Sequence, residues 1–130
     1  MAIKDCIIAV DFDGTCVSHE YPHIGFDIGA VPVLKELSDN GCRIILNTMR
    51  SGVLLKRAEE WFEENGITLF ASNENPLQRE WTKSPKVYAD IYIDDSAIGC
   101  PLKTREGINR PFVDWDKVRE LLVREGILEK

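Results

Sequence analysis

The chain has 130 residues, 44% hydrophobic and 29% charged, with a net charge of −6 at neutral pH. That is enough chain for one good hydrophobic core, so a single domain over residues 1–130 is expected. The acidic balance weighs against non-specific nucleic-acid binding, no apolar run approaches the ~20 residues that span a bilayer, and the amino-terminal sequence carries no basic-then-apolar leader.

The first element is the strongest. Cys6, Ile7, Ile8, Ala9 and Val10 are apolar without polar alternation, which predicts a central strand of a parallel sheet, buried on both faces. It runs into Asp11-Phe-Asp13-Gly-Thr15, so two carboxylates stand at the carboxyl end of the strand, the edge where open α/β sheets bind ligands. Carboxylates that close repel unless they are neutralised, and a hard divalent cation such as Mg²⁺ is the simplest neutraliser. An Asp-x-Asp-Gly turn also opens a calcium-binding EF-hand. Here a strand precedes the pair, and the twelfth position of such a loop falls on Pro22, which has no side-chain oxygen.

Residues 16–29 are rich in turn formers and predict a loop or small hairpin. His19 and His23 lie in it, but no Cys or acidic cluster completes a zinc set, so they read as polar loop residues. A helix is expected over 30–40, with Pro32 in its first turn and Asn40-Gly41 at its end. A second buried strand over 43–48 finishes on the hydroxyl of Thr48. Residues 52–65 form an amphipathic helix with Leu54, Leu55, Ala58, Trp61 and Phe62 inward. A third strand is expected over 67–71, then a long polar loop over 72–85. A fourth strand over 91–93 ends in Asp94 and Asp95. Residues 96–113 read as irregular, with a short edge strand near 102–103. Asp114 is placed to cap a last helix that buries Val118, Leu121, Leu122 and Ile127. Strands alternating with helices predict a parallel α/β fold. The four cysteines, Cys6, Cys16, Cys42 and Cys100, form no Cys-x-x-Cys pair. They fit a reduced, cytoplasmic setting and small-residue packing.

Read together, Asp11-x-Asp13-Gly-Thr15, a strand ending in Thr48, a basic residue and the pair Asp94-Asp95 resemble the four motifs of the haloacid dehalogenase (HAD) phosphohydrolase superfamily. The resemblance spans residues 6–95. It implies a three-layer Rossmann-like parallel sheet with helices on both faces and, with so little chain between motifs, a minimal or absent cap. It further implies a Mg²⁺-dependent phosphatase in which Asp11 is the nucleophile, Asp13 the general acid and base, and Thr48 a phosphate donor. The metal ligands would be Asp11, Asp13 through its backbone carbonyl, and Asp94, with Asp95 in support. Lys86 fits the basic motif better than Lys83, since it lies immediately before the fourth strand. Arg50 either reaches phosphate or pairs with a nearby carboxylate. Asn73, with Asn75, Arg79 and Trp81 on the same loop, is a candidate substrate contact.

An open site suits a phosphorylated small molecule, a macromolecular phosphoester or a neighbouring copy of the chain that covers it. A phosphomutase is disfavoured because it must exclude water. A non-catalytic module is disfavoured by retention of all the acidic motif residues. A receiver domain is disfavoured because its third strand would end in Asp, where this chain has Phe70-Ala71-Ser72.

Overall fold

The structure, a computed structural model, describes residues 6–130; the amino-terminal residues bearing on a leader lie outside the described part. The apolar run becomes strand β1 (Ile7–Val10), with every residue buried. It is flanked by β2 (Arg43–Leu46) and β4 (Ile91–Ile93), and β3 (Ala71–Ser72) pairs with β2. The order is β3-β2-β1-β4 and all three pairings are parallel. Helices α1 (Ala30–Asp39), α2 (Gly52–Glu64) and α3 (Trp115–Arg124) flank the sheet. This is the expected Rossmann-like parallel α/β architecture, with one correction: the α-helices share one hydrophobic cluster on one face of the sheet rather than covering both faces.

Strand alternation divides the core. Ile8, Val10, Ile44 and Leu46 share one hydrophobic cluster with buried residues of all three α-helices, among them Leu34, Leu37, Phe62, Val118 and Leu122. Ile7, Ala9 and Ile45 point the other way and pack with Val87 and Ala89. That second face is covered by the 87–89 stretch rather than by an α-helix. A short 3-10 helix, Pro76–Glu80, anchors it. Gln78 donates to the carbonyls of Ser84 and Lys86 and accepts from the Tyr88 N–H, while Asn75 donates to the Tyr88 carbonyl. These two buried amides satisfy backbone groups that would otherwise be stranded in an irregular segment.

Several expected elements are corrected. The third strand does not begin at residue 67, because the Ile67 N–H bonds back to Phe62 and closes α2; sheet contacts start only where the Phe70 N–H meets the Ile44 carbonyl. The 72–85 stretch is not wholly loop. Asn75 caps the 3-10 helix by accepting from the Leu77 N–H, and Pro76 takes its first turn, a start signal present in the sequence as Asn-Pro. The 96–113 stretch holds β5 (Leu102–Lys103) as expected, and also β6 (Phe112–Val113), its antiparallel partner. Leu121 is half-buried rather than inward, whereas Val118, Leu122 and Ile127 are buried.

The end of β6 ties the carboxyl-terminal helix to the acidic turn. The Val113 N–H donates to the Gly14 carbonyl at 3.0 Å, and the Trp115 indole donates to the Thr15 carbonyl at 2.7 Å. Asp114 caps α3 through the Lys117 N–H. Replacing Trp115 with Phe keeps one aromatic ring, loses the pyrrole ring with its N–H, and leaves the buried Thr15 carbonyl without this donor. The expected cost is about 1–3 kcal/mol of stability in urea unfolding; an unchanged midpoint would show that the bond does not hold the turn.

Candidate active site

The sheet sets the site by register. Val10 pairs with Ile93, so the next residue on each neighbouring strand, Asp11 and Asp94, emerges at the same edge. The Asp11 N–H continues the ladder to the Ile93 carbonyl at 3.0 Å, and the Asn47 N–H continues it to Val10 at 2.8 Å. Carboxylate oxygens of Asp11, Asp94 and Asp95 lie within 4.8 Å of one another. The hydroxyl of Thr15, a fully buried residue, links Asp11 and Asp95. It is 3.1 Å from Asp11 Oδ2 and 3.4 Å from Asp95 Oδ1, and it accepts the Asp95 N–H at 3.0 Å. Gly14 has φ +82°, and a Cβ there would lie 2.3 Å from Asp95 Oδ2. Glycine is therefore required both for the turn and for the close approach of the second carboxylate.

Three carboxyl groups this close repel one another when ionised. Burial pushes the Asp11 carboxyl up, the charge of Asp94 raises it further and Asp95 adds to both; the Phe12 N–H opposes them, and the result is about 8. An all-oxygen donor set of this kind suits a hard divalent ion such as Mg²⁺, and such an ion would return Asp11 to its ionised form. Asp11, Asp94 and Asp95 are the side chains placed to hold it. The Asp13 side chain is not part of this group.

Asp13 instead faces Arg50. Arg50 Nε donates to Oδ2 and Nη2 to Oδ1, each at 2.8 Å. Nη2 also donates to the His23 carbonyl at 2.8 Å, and Nη1 to the carbonyls of Leu54 and Pro22 at 3.3 and 3.4 Å. The guanidinium carbon lies 5.0 Å from the Phe12 ring centroid and 5.3 Å from that of Tyr21. With 1% of its surface exposed, Arg50 is fully engaged. Of the two roles open to it, the ion pair is the one it takes, and it is not free to bind phosphate. Its partner carbonyls come from the 16–29 loop and from α2, so this one side chain knits both to the acidic turn.

Thr48 lies at the mouth, half-buried, with its hydroxyl accepting the Arg50 N–H at 3.1 Å. Asn73, expected to touch substrate, holds the Thr48 N–H through Oδ1 at 2.8 Å and adopts φ 54° to do so. It is a positioning residue for Thr48. The loop candidates beside it turn away as well: Arg79 pairs with Glu74, and Trp81 stacks edge-on against Tyr88. Lys86 is corrected too. Its ammonium lies over the Tyr92 ring, 5.4 Å from the centroid, and neither it nor Lys83 lines the acidic cavity. The reason is chain direction: Lys86 precedes β4, whereas the carboxylates follow it.

The cavity has a volume of about 470 Å³ and brings together Asp11, Asp13, Thr48, Arg50, Asp94 and Asp95. That is a small-molecule size. Its rim carries His19, Tyr21, Met49, Ser96 and Arg110. Arg110 was not foreseen from sequence; nothing local distinguishes it from any loop arginine. Cys16 is fully buried, and burial pushes its thiol well above the usual range, so it does not serve as a nucleophile. A larger cavity of about 850 Å³ lies beside β4 and α3, but its lining is mainly apolar and it lacks the converging carboxylates.

No protein-family model and no curated protein matches the chain. A solved structure titled as a conserved protein coded by a locus of Bacteroides thetaiotaomicron is similar, with 34% sequence identity and a TM-score of 0.76, over 98% of this chain and all of the other. At that identity over nearly the whole length, this chain belongs to the same family as that conserved protein.

Two consequences are measurable. The raised Asp11 carboxyl holds a proton that the unfolded chain has lost above its ordinary 3.8. Stability linked to it is therefore full below about pH 4 and is lost as pH rises through about 8. In calorimetry without metal, wild type should lose stability over that range relative to Asp11→Asn. Mg²⁺ affinity should tighten about tenfold per pH unit up to pH 8; affinity independent of pH would contradict the assignment. Separately, Arg50→Ala leaves Asp13 without its partner beside an emptied pocket and should cost about 3–5 kcal/mol in urea unfolding. A cost below about 1 kcal/mol would place the pair among ordinary surface ion pairs.

Proposed function

We propose that this member of the family shared with the Bacteroides protein is a Mg²⁺-dependent phosphatase of the HAD type, acting on a phosphorylated small molecule through an aspartyl phosphate on Asp11. The observation that carries the reading is the position of Asp11: a carboxylate at the carboxyl edge of the sheet, open to a cavity of small-molecule size, with burial and the charges of Asp94 and Asp95 raising it so that a bound cation would favour its ionised form.

Bound Mg²⁺ would supply charge neutralisation between carboxylate and phosphoryl group. The rest is done by the chain. An Asp11 carboxylate oxygen attacks phosphorus, the bond from phosphorus to the ester oxygen breaks, and the leaving oxygen takes a proton from Asp13. Water then attacks phosphorus and gives its proton to Asp13. The bond from phosphorus to Asp11 breaks and orthophosphate leaves. For either transfer, one Asp13 oxygen must turn from Arg50 toward the cavity, and Arg50 keeps the other in place. Thr15 orients Asp11, and Thr48, with its amide held by Asn73, presents its hydroxyl to a phosphoryl oxygen.

One observation favours a second reading, a binding module that does not turn over: neither lysine expected to neutralise the transition state lines the cavity. Phosphate release from p-nitrophenyl phosphate separates the two. The expected result is release that requires Mg²⁺, stops with EDTA, and falls on the order of 10³-fold or more in Asp11→Asn. Equal release by wild type and Asp11→Asn would overturn the phosphatase reading.

A further inference from the structure

We infer that Arg110 is the cation that meets the substrate's phosphoryl group, in place of the lysine that the motif pattern puts before β4. The inference rests on the phosphatase reading and concerns the same cavity. Four carboxylates reach this cavity, and among the described residues Arg50 and Arg110 are the Lys or Arg side chains that line it, with His19 beside them. Arg50 has all three of its guanidinium nitrogens committed to Asp13 and to backbone carbonyls. Among the described residues Arg110 has no hydrogen bond, ion pair or ring contact, and it is exposed at the rim. A guanidinium left unpaired beside clustered carboxylates is available to an incoming dianion. Its planar donors match two phosphoryl oxygens.

The fold gives Arg110 a fixed root. It lies in the connection from β5 to β6. Two residues on, Phe112 and Val113 are fully buried, and the Val113 N–H is bonded to the Gly14 carbonyl of the acidic turn. The Trp115 indole secures the next turn of chain to the Thr15 carbonyl. The backbone is thereby held against the nucleophile's own loop, while the long side chain remains free to swing. Arg110 comes from the β5–β6 hairpin and Thr48 from the chain just after β2, and both line the cavity. Phosphate bound between them would be held on two flanks.

The test is binding of inorganic phosphate in the presence of Mg²⁺, followed by calorimetry, alongside p-nitrophenyl phosphate turnover, for wild type, R110Q, R110K and K86Q. Mg²⁺ affinity, measured alone, reports whether the carboxylate cluster is intact. The expected result is phosphate affinity reduced about 10- to 100-fold in R110Q, with partial recovery in R110K, Mg²⁺ affinity kept, and K86Q equal to wild type. R110Q matching wild type in phosphate affinity overturns the inference, as does a loss confined to K86Q. Metal-dependent turnover abolished in Asp11→Asn but unaffected in R110Q overturns the role of Arg110 and leaves the phosphatase reading standing. A wild-type protein that neither binds phosphate nor releases it overturns both.

Discussion

Everything at this site follows from crowding four carboxylates at one edge of a parallel sheet. The pairing of Val10 with Ile93 makes Asp11 and Asp94 neighbours, and the glycine turn after them brings Asp95 into contact with Gly14. Like charges this close are unfavourable in a partly desolvated setting. The chain meets the problem in two ways. Asp13 is balanced by Arg50, an arginine with almost no solvent exposure that grips both of its carboxylate oxygens until one turns to the cavity in the proposed proton transfers. Of the other three, Asp11 and Asp95 share the Thr15 hydroxyl and Asp94 accepts the Ser96 N–H, and their crowding favours a bound cation. The division gives Asp11 and Asp13, two residues apart in the chain, different partners: a cation-seeking cluster for one and a buried arginine for the other.

The rest of the fold serves that division. Arg50 comes from the loop after β2 and reaches back to β1's turn, under an aromatic group in which Phe12 contacts both Trp61 and Phe62. The aromatic packing keeps water from the guanidinium and strengthens its bonds to Asp13. On the far side, Trp115 at the start of α3 holds Thr15 in place by its carbonyl. The acidic turn is therefore gripped by α2's approach loop and by α3, so its geometry depends on residues spread across the chain.

The sequence made the strands, the α-helices and the acidic edge legible because each rests on a local signal: an unbroken apolar run, a 3.6-residue period, a carboxylate immediately after a strand. It failed where the outcome depends on direction or on distant partners. Lys86 sits beside the right strand in sequence but at its opposite end in space. Arg50 and Asn73 are near the site, yet their side chains are spent on Asp13 and on the Thr48 backbone, partnerships between residues 37 and 25 positions apart. Arg110 reaches the cavity only because β6 exists, and β6 is two residues long, too short to show a period.

The central claim is that Asp11 carries the phosphoryl group. The most direct measurement is to quench the protein with borohydride during turnover of a phosphomonoester with Mg²⁺, and to locate the reduced residue by mass spectrometry of its peptides. The account predicts reduction of the Asp11 carboxyl to an alcohol, dependent on both substrate and metal and absent in EDTA. Continuing turnover with Asp11 unmodified, or reduction at another carboxylate instead, would contradict it.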